Sequence, residues 1–206
     1  MVSFCISLFC VTLLCNHDCR YFPLQSFIFK DQRVERIRQL IKSYPDFPKK
    51  GINFLDQTVI SDCVTLMAEE IKKRFTPNGE TIDAIIGLES RGFIFGILLS
   101  TFLKVPFVPI RKAGKLPGEC VKGTYNLEYG SAAFELQKSA LKAGSRVVLI
   151  DDVLAIGGTM SAAAKLCKEA SLNVLGAGML LEVANCEGGQ RLDELGLKWF
   201  SILKLD

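Results

Sequence analysis

Four short apolar runs, rich in isoleucine and valine, constrain the fold of this chain more than any other feature. They cover residues 82–88, 105–110, 146–150 and 173–181, and helix-like segments lie between them. Strands that are apolar along their whole length are typical of parallel sheets, because the crossover helices cover both faces of such a sheet. The sequence therefore predicts an α/β fold, a twisted parallel sheet with helices on both faces.

Two helices and a hairpin accompany these strands. Apolar residues at helical spacing predict helices over 34–43 and 62–75, and Ser61 or Asp62 is expected to cap the second. Two β-like segments flank Gly130 and predict an antiparallel hairpin, which would form a small flap on the sheet. A chain of 206 residues, 49% of them hydrophobic, can bury one substantial core, so one domain is expected.

The first thirty residues differ from the rest of the chain. Residues 1–15 form a nearly unbroken apolar run, which is short for a bilayer span and lacks the basic start of a secretory signal. We therefore expect residues 1–30 to be an extension outside the fold and residues 31–206 to form the domain, with no membrane segment and a cytoplasmic location. Secretion stays open as the alternative for this run.

Composition limits the partners of the domain. The formal net charge is only +3 and the lysines and arginines are scattered, so no continuous basic face for nucleic acid is expected. Eight cysteines occur without a Cys-x-x-Cys pair, and His17 is the single histidine, so the spacing of a zinc site is absent. Free thiols of this kind suit a reducing compartment. The expected partner is a small molecule.

The strongest chemical signal is an apolar strand that runs into two acids, a glycine turn and a helix. Asp151 and Asp152 end the strand, and Gly157, Gly158 and Thr159 follow. The glycines leave the backbone free to surround an anion at the positive end of the helix, and the threonine hydroxyl can donate to that anion and cap the helix. Two carboxylates beside a phosphate need a positive or hydroxylated group between them and the phosphate, and a ribose supplies the hydroxyls. The segment therefore predicts a sugar-phosphate site.

Other phosphate motifs fit this chain less well. A Walker loop needs Gly-Lys-Ser or Gly-Lys-Thr where this chain has Gly-Gly-Thr, and the Gly-Ala-Gly of residues 176–178 lacks the third glycine of the dinucleotide fingerprint. For the acid pair taken alone, a solvated strand end is the alternative.

A family resemblance rests on the acid pair, the loop Ala155-Ile156-Gly157-Gly158-Thr159 and the strand before them, which resemble the signature of type I phosphoribosyltransferases. Further segments resemble the adenine phosphoribosyltransferases, in the order of that family: residues 44–48, 51–56, 89–93, 111–118 and 127–130. The resemblance runs from residue 34 to residue 204. It implies the type I phosphoribosyltransferase fold with a small hood, and a purine-salvage reaction in which adenine and phosphoribosyl pyrophosphate give AMP and pyrophosphate.

The resemblance also implies which residues hold the pyrophosphate. Glu89, Ser90 and Arg91 follow a strand and lead into a helix, a setting that suits an anion. Arg111 ends another strand, and Lys115 lies in a loop punctuated by glycine and proline, the composition of a mobile lid. Closure of such a lid would keep water from the ribosyl centre. Solvated basic side chains are the alternative for these cations.

For the base, the resemblance implies a loop that contains Asn53, Phe54 and Leu55. The Asn53 carbonyl would accept from the adenine amino group, the Leu55 N–H would donate to ring N1, and Phe54 would stack on the ring. Hypoxanthine would be rejected, because its oxygen would face that carbonyl. Glu128 is the candidate acid and base for the N7 proton, and Tyr129 would help to position the flap.

The family further implies Mg²⁺ as cofactor and a homodimer. The ion would be held mostly through water, since no set of dedicated protein ligands is visible. Two positions depart from the family pattern: Ile156 replaces a threonine of the phosphate loop, and Leu55 replaces an arginine of the base loop. The leading hypothesis is an active enzyme. The second is a paralogue that binds purine nucleotide with little or no turnover.

Overall fold

The structure is a computed structural model that describes residues 31–44, 52–55, 57–127 and 130–205. Residues 1–30 lie outside the described residues, so the expectation that they stand apart from the fold stays a prediction. The helices are α1 (Gln32–Leu40), α2 (Ile60–Phe75), α3 (Gly92–Leu103), α4 (Gly158–Glu169) and α5 (Gly188–Glu194). The strands are β1 (Ile41–Tyr44), β2 (Ile52–Leu55), β3 (Ala84–Leu88), β4 (Phe107–Lys112), β5 (Cys120–Leu127), β6 (Gly130–Gln137), β7 (Arg146–Leu154), β8 (Asn173–Val183) and β9 (Trp199–Leu205).

A seven-stranded sheet carries the fold, with the order β5-β6-β4-β3-β7-β8-β9. The five strands from β4 to β9 in this order pair in parallel. The hairpin of β5 and β6 is antiparallel and joins the sheet where Arg111 and Lys112 of β4 pair with Glu135 and Phe134. Strands β1 and β2 form a separate antiparallel pair. The predicted parallel sheet and its attached flap are therefore confirmed.

Hydrophobic cores cover both faces of the sheet. Ile85 of β3 packs with α2 and α3 on one face, whereas Ile86 packs with α4 on the other. Every residue of β3 is buried. Successive strand residues point to opposite faces, so a strand covered on both sides must be apolar throughout. This requirement produces the continuous apolar runs seen in the sequence.

Two sequence-based expectations about the first helices were wrong. The helix expected over 34–43 ends at Leu40, because the chain from Ile41–Tyr44 pairs with β2 instead. Neither Ser61 nor Asp62 caps α2, since Val59 occupies the cap position and no side chain accepts a hydrogen bond there. The 3-10 turn before α2 carries the chain into the helix, so both polar residues lie inside its first turn.

Helix α5 and strand β9 were not predicted. Strand β9 is the outer parallel strand, next to β8, and it holds Phe200 and Leu203 in the core. Helix α5 is short and mostly exposed on its outer side, so it offers little helical periodicity. Among the helices of the described residues, none combines the length and the apolar character needed to cross a membrane.

Candidate active site

Three predicted loops meet at one edge of the sheet, because β4, β3 and β7 are parallel neighbours and their carboxyl ends lie side by side. Strand β3 leads into the segment Glu89-Ser90-Arg91, with a cis peptide bond between Glu89 and Ser90. Strand β4 ends with Arg111 and Lys112, and β7 leads into the glycine loop. Such an edge is where ligands bind in open α/β sheets.

The glycine loop has the geometry of an anion site, with one correction. Gly157 caps α4 in the left-handed conformation, with φ of 77°, which favours glycine. Thr159 is therefore the second residue of the helix, and the expectation that it caps α4 was wrong. The first-turn N–H groups of a helix have no partner within the helix, and the positive end of its dipole lies there. The prediction that the Thr159 hydroxyl donates to a bound anion is unaffected by this correction.

A cavity of about 320 Å³ opens at this loop. It brings together Asp151, the predicted phosphate-loop residues and one cation that was not predicted, whereas Asp152 is not part of its lining. Its lining consists of Asp151, Val153, Leu154, Ala155, Ile156, Gly157, Gly158, Thr159, Met160 and Arg191. The Ile156 side chain is 48% exposed, although it is a large hydrophobic group. The position that lacks the family's hydroxyl therefore faces open space at the cavity.

The acid pair lies inside β7, which pairs with β8 as far as Leu154, so the expectation that the two acids end the strand was wrong. The pair is nevertheless linked to the β3 loop. Arg91 Nε lies 2.8 Å from Asp152 Oδ2, so β7 and the β3 loop are joined by an ion pair. The Asp152 N–H donates to Asp151 Oδ1 at 2.9 Å. Removal of the Asp151 carboxyl group from water raises its pKa well above the ordinary value, and the negative charge of Asp152 raises it further. The pair therefore favours a ligand that brings hydroxyl donors or positive charge.

The loop that contains Lys115 is anchored to the sheet. Glu135 is buried, and its Oε1 accepts from the backbone N–H groups of Lys115 at 2.6 Å and Leu116 at 2.7 Å. Backbone hydrogen bonds, led by that of Gly114, lower the pKa of Glu135, so the carboxylate stays charged. Arg111 Nη1 donates to the Lys115 carbonyl at 3.2 Å. Glu135 was not predicted as a site residue, because an acid in the middle of a β-strand gives no local signal of a loop anchor.

Glu89 connects the ends of β3 and β4. Its Oε2 accepts from the Lys112 N–H at 3.0 Å and from Arg111 Nε at 3.2 Å. The backbone hydrogen bond of Lys112 is the largest cause that lowers the pKa of Glu89, and Arg111 adds to it. Glu89 therefore holds Arg111 beside the β3 loop. Its own predicted contact with substrate stays a prediction.

The base loop and the flap are less completely described. Asn53, Phe54 and Leu55 lie in β2, where they pair with β1, and their side chains are outside the described part. Glu128 and Tyr129 lie outside the described residues, between Leu127 of β5 and Gly130 of β6. Their assigned roles stay predictions. Within the described part, no cluster of three or more His, Cys, Asp or Glu residues is placed to hold a metal ion.

Comparison with known proteins agrees with this geometry. A family model described as a phosphoribosyl transferase domain matches residues 53–199. An adenine phosphoribosyltransferase of Agathobacter rectalis is 44% identical over 164 residues, which are 78% of this chain and 93% of that protein. Adenine phosphoribosyltransferase 1 of Saccharomyces cerevisiae is 42% identical over 171 residues, 78% of this chain and 88% of that protein.

Solved structures give the same result. The Saccharomyces cerevisiae adenine phosphoribosyltransferase complexed with an imino-altritol bisphosphate and adenine superposes with a TM-score of 0.76 at 38% identity, and the match covers 84% of this chain and 99% of that one. The Thermoanaerobacter pseudethanolicus enzyme gives a TM-score of 0.72 at 40% identity, with the same coverage. The chain belongs to the phosphoribosyltransferase family and, within that family, with the adenine phosphoribosyltransferases.

Proposed function

We propose that this protein transfers the phosphoribosyl group of phosphoribosyl pyrophosphate to adenine, forming AMP and releasing pyrophosphate. It is a pentosyltransferase of purine salvage. One observation carries the proposal: the glycine-loop cavity, the acid pair and the β3 loop meet at one sheet edge, and an Arg91–Asp152 ion pair joins them. Relatives that are 42% and 44% identical over 78% of this chain are adenine phosphoribosyltransferases, which supports the choice of adenine.

The sugar phosphate is held at two ends. The first turn of α4 takes the 5-phosphate, because its free N–H groups and dipole favour an anion. Asp151 and Asp152 accept from the ribose hydroxyls, which supply the donors that the crowded acid pair lacks. The pyrophosphate is held by Ser90 and by the cations Arg91, Arg111 and Lys115.

The chemical step forms one bond and breaks one. Adenine N9 attacks the anomeric carbon with its lone pair, and the bond from that carbon to the pyrophosphate oxygen breaks, so pyrophosphate leaves with the bonding electrons. Glu128 accepts the N7 proton of adenine and returns it in the reverse reaction. The loop that contains Lys115 excludes water from the cationic sugar centre. Glu135 fixes the backbone of this loop at Lys115 and Leu116.

The base is recognised by backbone atoms. The Asn53 carbonyl accepts from the adenine amino group, the Leu55 N–H donates to N1, and Phe54 stacks on the ring. A 6-oxopurine has an acceptor where adenine has a donor, so it leaves that carbonyl unpaired. The resemblance of residues 51–56 to the adenine phosphoribosyltransferases supports this assignment.

Mg²⁺ fits the donor set as a substrate-linked ion. Asp151 and Asp152 carry carboxylate oxygens, which suit a hard cation. Burial and then the charge of Asp152 raise the pKa of Asp151, and a positive ion nearby would offset both effects. Water and substrate oxygens would hold most of the ion's shell, and Asp151 and Asp152 would contact the ion mainly through water while they accept from the ribose hydroxyls. When bound, Mg²⁺ neutralises charge on the pyrophosphate leaving group.

A homodimer would bury an apolar face of α3. Ile94, Ile97, Leu98 and Phe102 lie at helical spacing on this helix and are between 38% and 50% exposed. Such a patch on a surface helix marks an interaction site, and a second copy is the partner that the family resemblance implies. Sedimentation of the protein and of Phe102→Glu tests this. We expect a dimer and a monomer respectively, and a monomeric parent protein would contradict the proposal.

A cytoplasmic location is part of the proposal. Cys63, Cys120, Cys167 and Cys186 are free thiols, which suit a reducing compartment. Fractionation of cells that express the full chain decides this point, and recovery of the protein from the culture medium would contradict it.

The experiment that tests the function is an assay with adenine, phosphoribosyl pyrophosphate and Mg²⁺, with AMP as the measured product. Hypoxanthine and guanine serve as matched controls. We expect adenine to be used in strong preference to both. Binding of AMP without turnover would favour the paralogue hypothesis, and equal use of hypoxanthine would contradict the assignment of Asn53 and Leu55.

A further inference from the structure

Arg191, a cation of α5, lines the glycine-loop cavity, which is called the phosphate cavity below, and it was not among the predicted site residues. It lines the same cavity as Gly157, Gly158 and Thr159. A Cβ atom built on Gly158 would lie 3.8 Å from Arg191 Nη1. The guanidinium group therefore reaches the first turn of α4, where the proposed 5-phosphate binds.

Two glycines place α5 against the phosphate loop. A Cβ atom on Gly188 would lie 2.0 Å from the Ala155 carbonyl oxygen, and one on Gly157 would lie 3.0 Å from the Gly188 carbonyl oxygen. The two backbones are thus in direct contact. Arg191 follows one turn later, where its N–H donates to the Glu187 carbonyl at 3.2 Å. Close packing of backbone on backbone fixes the point from which the Arg191 side chain extends.

The charge of Arg191 is available to a ligand. Arg91 is paired with Asp152 at 2.8 Å and Arg111 with Glu89 at 3.2 Å, so both of those cations already have an acid. No carboxylate of the described chain forms an ion pair with Arg191. An unpaired guanidinium beside free N–H groups raises the positive potential of the cavity, and its planar donors match phosphate oxygens.

We propose that Arg191 is a phosphate-binding residue, whose guanidinium group donates to the 5-phosphate of phosphoribosyl pyrophosphate and of AMP. It supplies from α5 a contact that Ile156 does not make from the loop. The inference rests on the proposed function, because it takes a phosphate monoester as the occupant of this cavity.

The test compares Arg191→Gln with the parent protein by calorimetric titration with AMP and, separately, with pyrophosphate. We expect AMP to bind about ten- to a hundredfold more weakly, the range for one lost hydrogen bond to a charged group. Pyrophosphate affinity is expected to stay unchanged, because that anion binds at the β3 loop. Arg191→Lys keeps the charge without the planar donors and should fall between the two.

Lys168→Gln is the matched control for net charge. Lys168 is exposed in the last turn of α4, about 15 Å from Gly158 at the helical rise of 1.5 Å per residue. Lys168 therefore lies farther from the cavity than the distance over which physiological salt screens a charge. The AMP affinity of Lys168→Gln should equal that of the parent protein. Melting curves check that every variant is folded.

The outcomes separate the two proposals. If the parent protein binds AMP and Arg191→Gln binds it equally well, the role of Arg191 is overturned while the proposed function stands. If pyrophosphate affinity falls as much as AMP affinity, Arg191 acts through general charge and its specific contact is overturned. If the parent protein neither binds AMP nor forms it from adenine, the proposed function fails, and the role of Arg191 with it.

Discussion

The two loops proposed to bind anions at the sheet edge differ in whether their binding groups already have a partner within the protein. On the proposed pyrophosphate side two cations already have an acid partner, since Arg91 of the β3 loop pairs with Asp152 and Arg111 of β4 pairs with Glu89. In the glycine loop that follows β7, no acid comes between Asp152 and the helix. The groups proposed to bind there are backbone N–H groups and Arg191, which forms no ion pair with an acid of the described residues. Arg91 and Arg111 must give up their carboxylate partners when pyrophosphate binds. The donors of the glycine loop need no such exchange before the 5-phosphate binds.

This difference matches the fate of the two ligands. The 5-phosphate stays on the sugar through the whole reaction, so a preformed site for it costs little reorganisation. The pyrophosphate must leave after each turnover, and protein acids that recapture Arg91 and Arg111 would help to release it. Under the proposed assignment, the glycine loop would hold the 5-phosphate throughout the chemical step, whereas the pyrophosphate site would release its ligand once the bond to the sugar is broken.

The largest expected effect lies in neither loop. Glu128→Gln should lower turnover by about 10²- to 10⁴-fold, because a positioned proton acceptor contributes that much to the transition state. The affinities for AMP and pyrophosphate should stay close to those of the parent protein, since both loops are intact. Steady-state kinetics with titration of both ligands measures this. Unchanged turnover would show that Glu128 does not carry the proton.

Gly188→Ala should damage the glycine loop alone. The added methyl group would need the space of the Ala155 carbonyl oxygen, so the loop or α5 must shift, at a cost of about 1 to 3 kcal/mol in the free energy of unfolding. We expect a lower melting temperature and weaker AMP binding, with pyrophosphate binding retained. Gly123→Ala is the control, because the nearest atom to its new Cβ, in Leu166, is 3.4 Å away. Equal effects of the two changes would contradict the backbone contact.

Ile156→Thr should strengthen phosphate binding at the glycine loop. A hydroxyl at this exposed position adds one donor to the 5-phosphate, so AMP should bind about ten- to a hundredfold more tightly. Pyrophosphate binding should not change. Calorimetric titration decides this, and equal AMP affinities would mean that residue 156 does not face the phosphate.

Deletion of residues 1–30 should have the smallest effect. The helices and strands of the described domain begin at Gln32, so the chain without residues 1–30 should stay soluble and unfold cooperatively. The affinities of both loops should be those of the full chain. Denaturant unfolding and the AMP titration measure this. Aggregation of the shortened chain would show that the apolar run belongs to the core or to an interface.

Local sequence patterns predicted the part of the site that is formed by residues close together in the chain. The apolar run before Asp151 and Asp152, and the glycines after it, specify a strand, a turn and a helix within fifteen residues. Cap positions were harder to predict, because Ser61, Asp62 and Thr159 each have the chemistry of a cap and each lies one or two positions inside its helix. The exact start of a helix depends on how the preceding turn packs.

The sequence by itself determined the class of sheet, the order of the anion loops and the acid pair, because hydrophobic period and glycine turns act between near neighbours in the chain. Only the tertiary structure decided which distant residues complete the site. Glu135 anchors the loop of Lys115 from a strand twenty residues away, and Arg191 reaches the phosphate cavity because Gly188 lets two backbones touch. Such contacts depend on the three-dimensional packing of elements far apart in the chain, and no local sequence period records them.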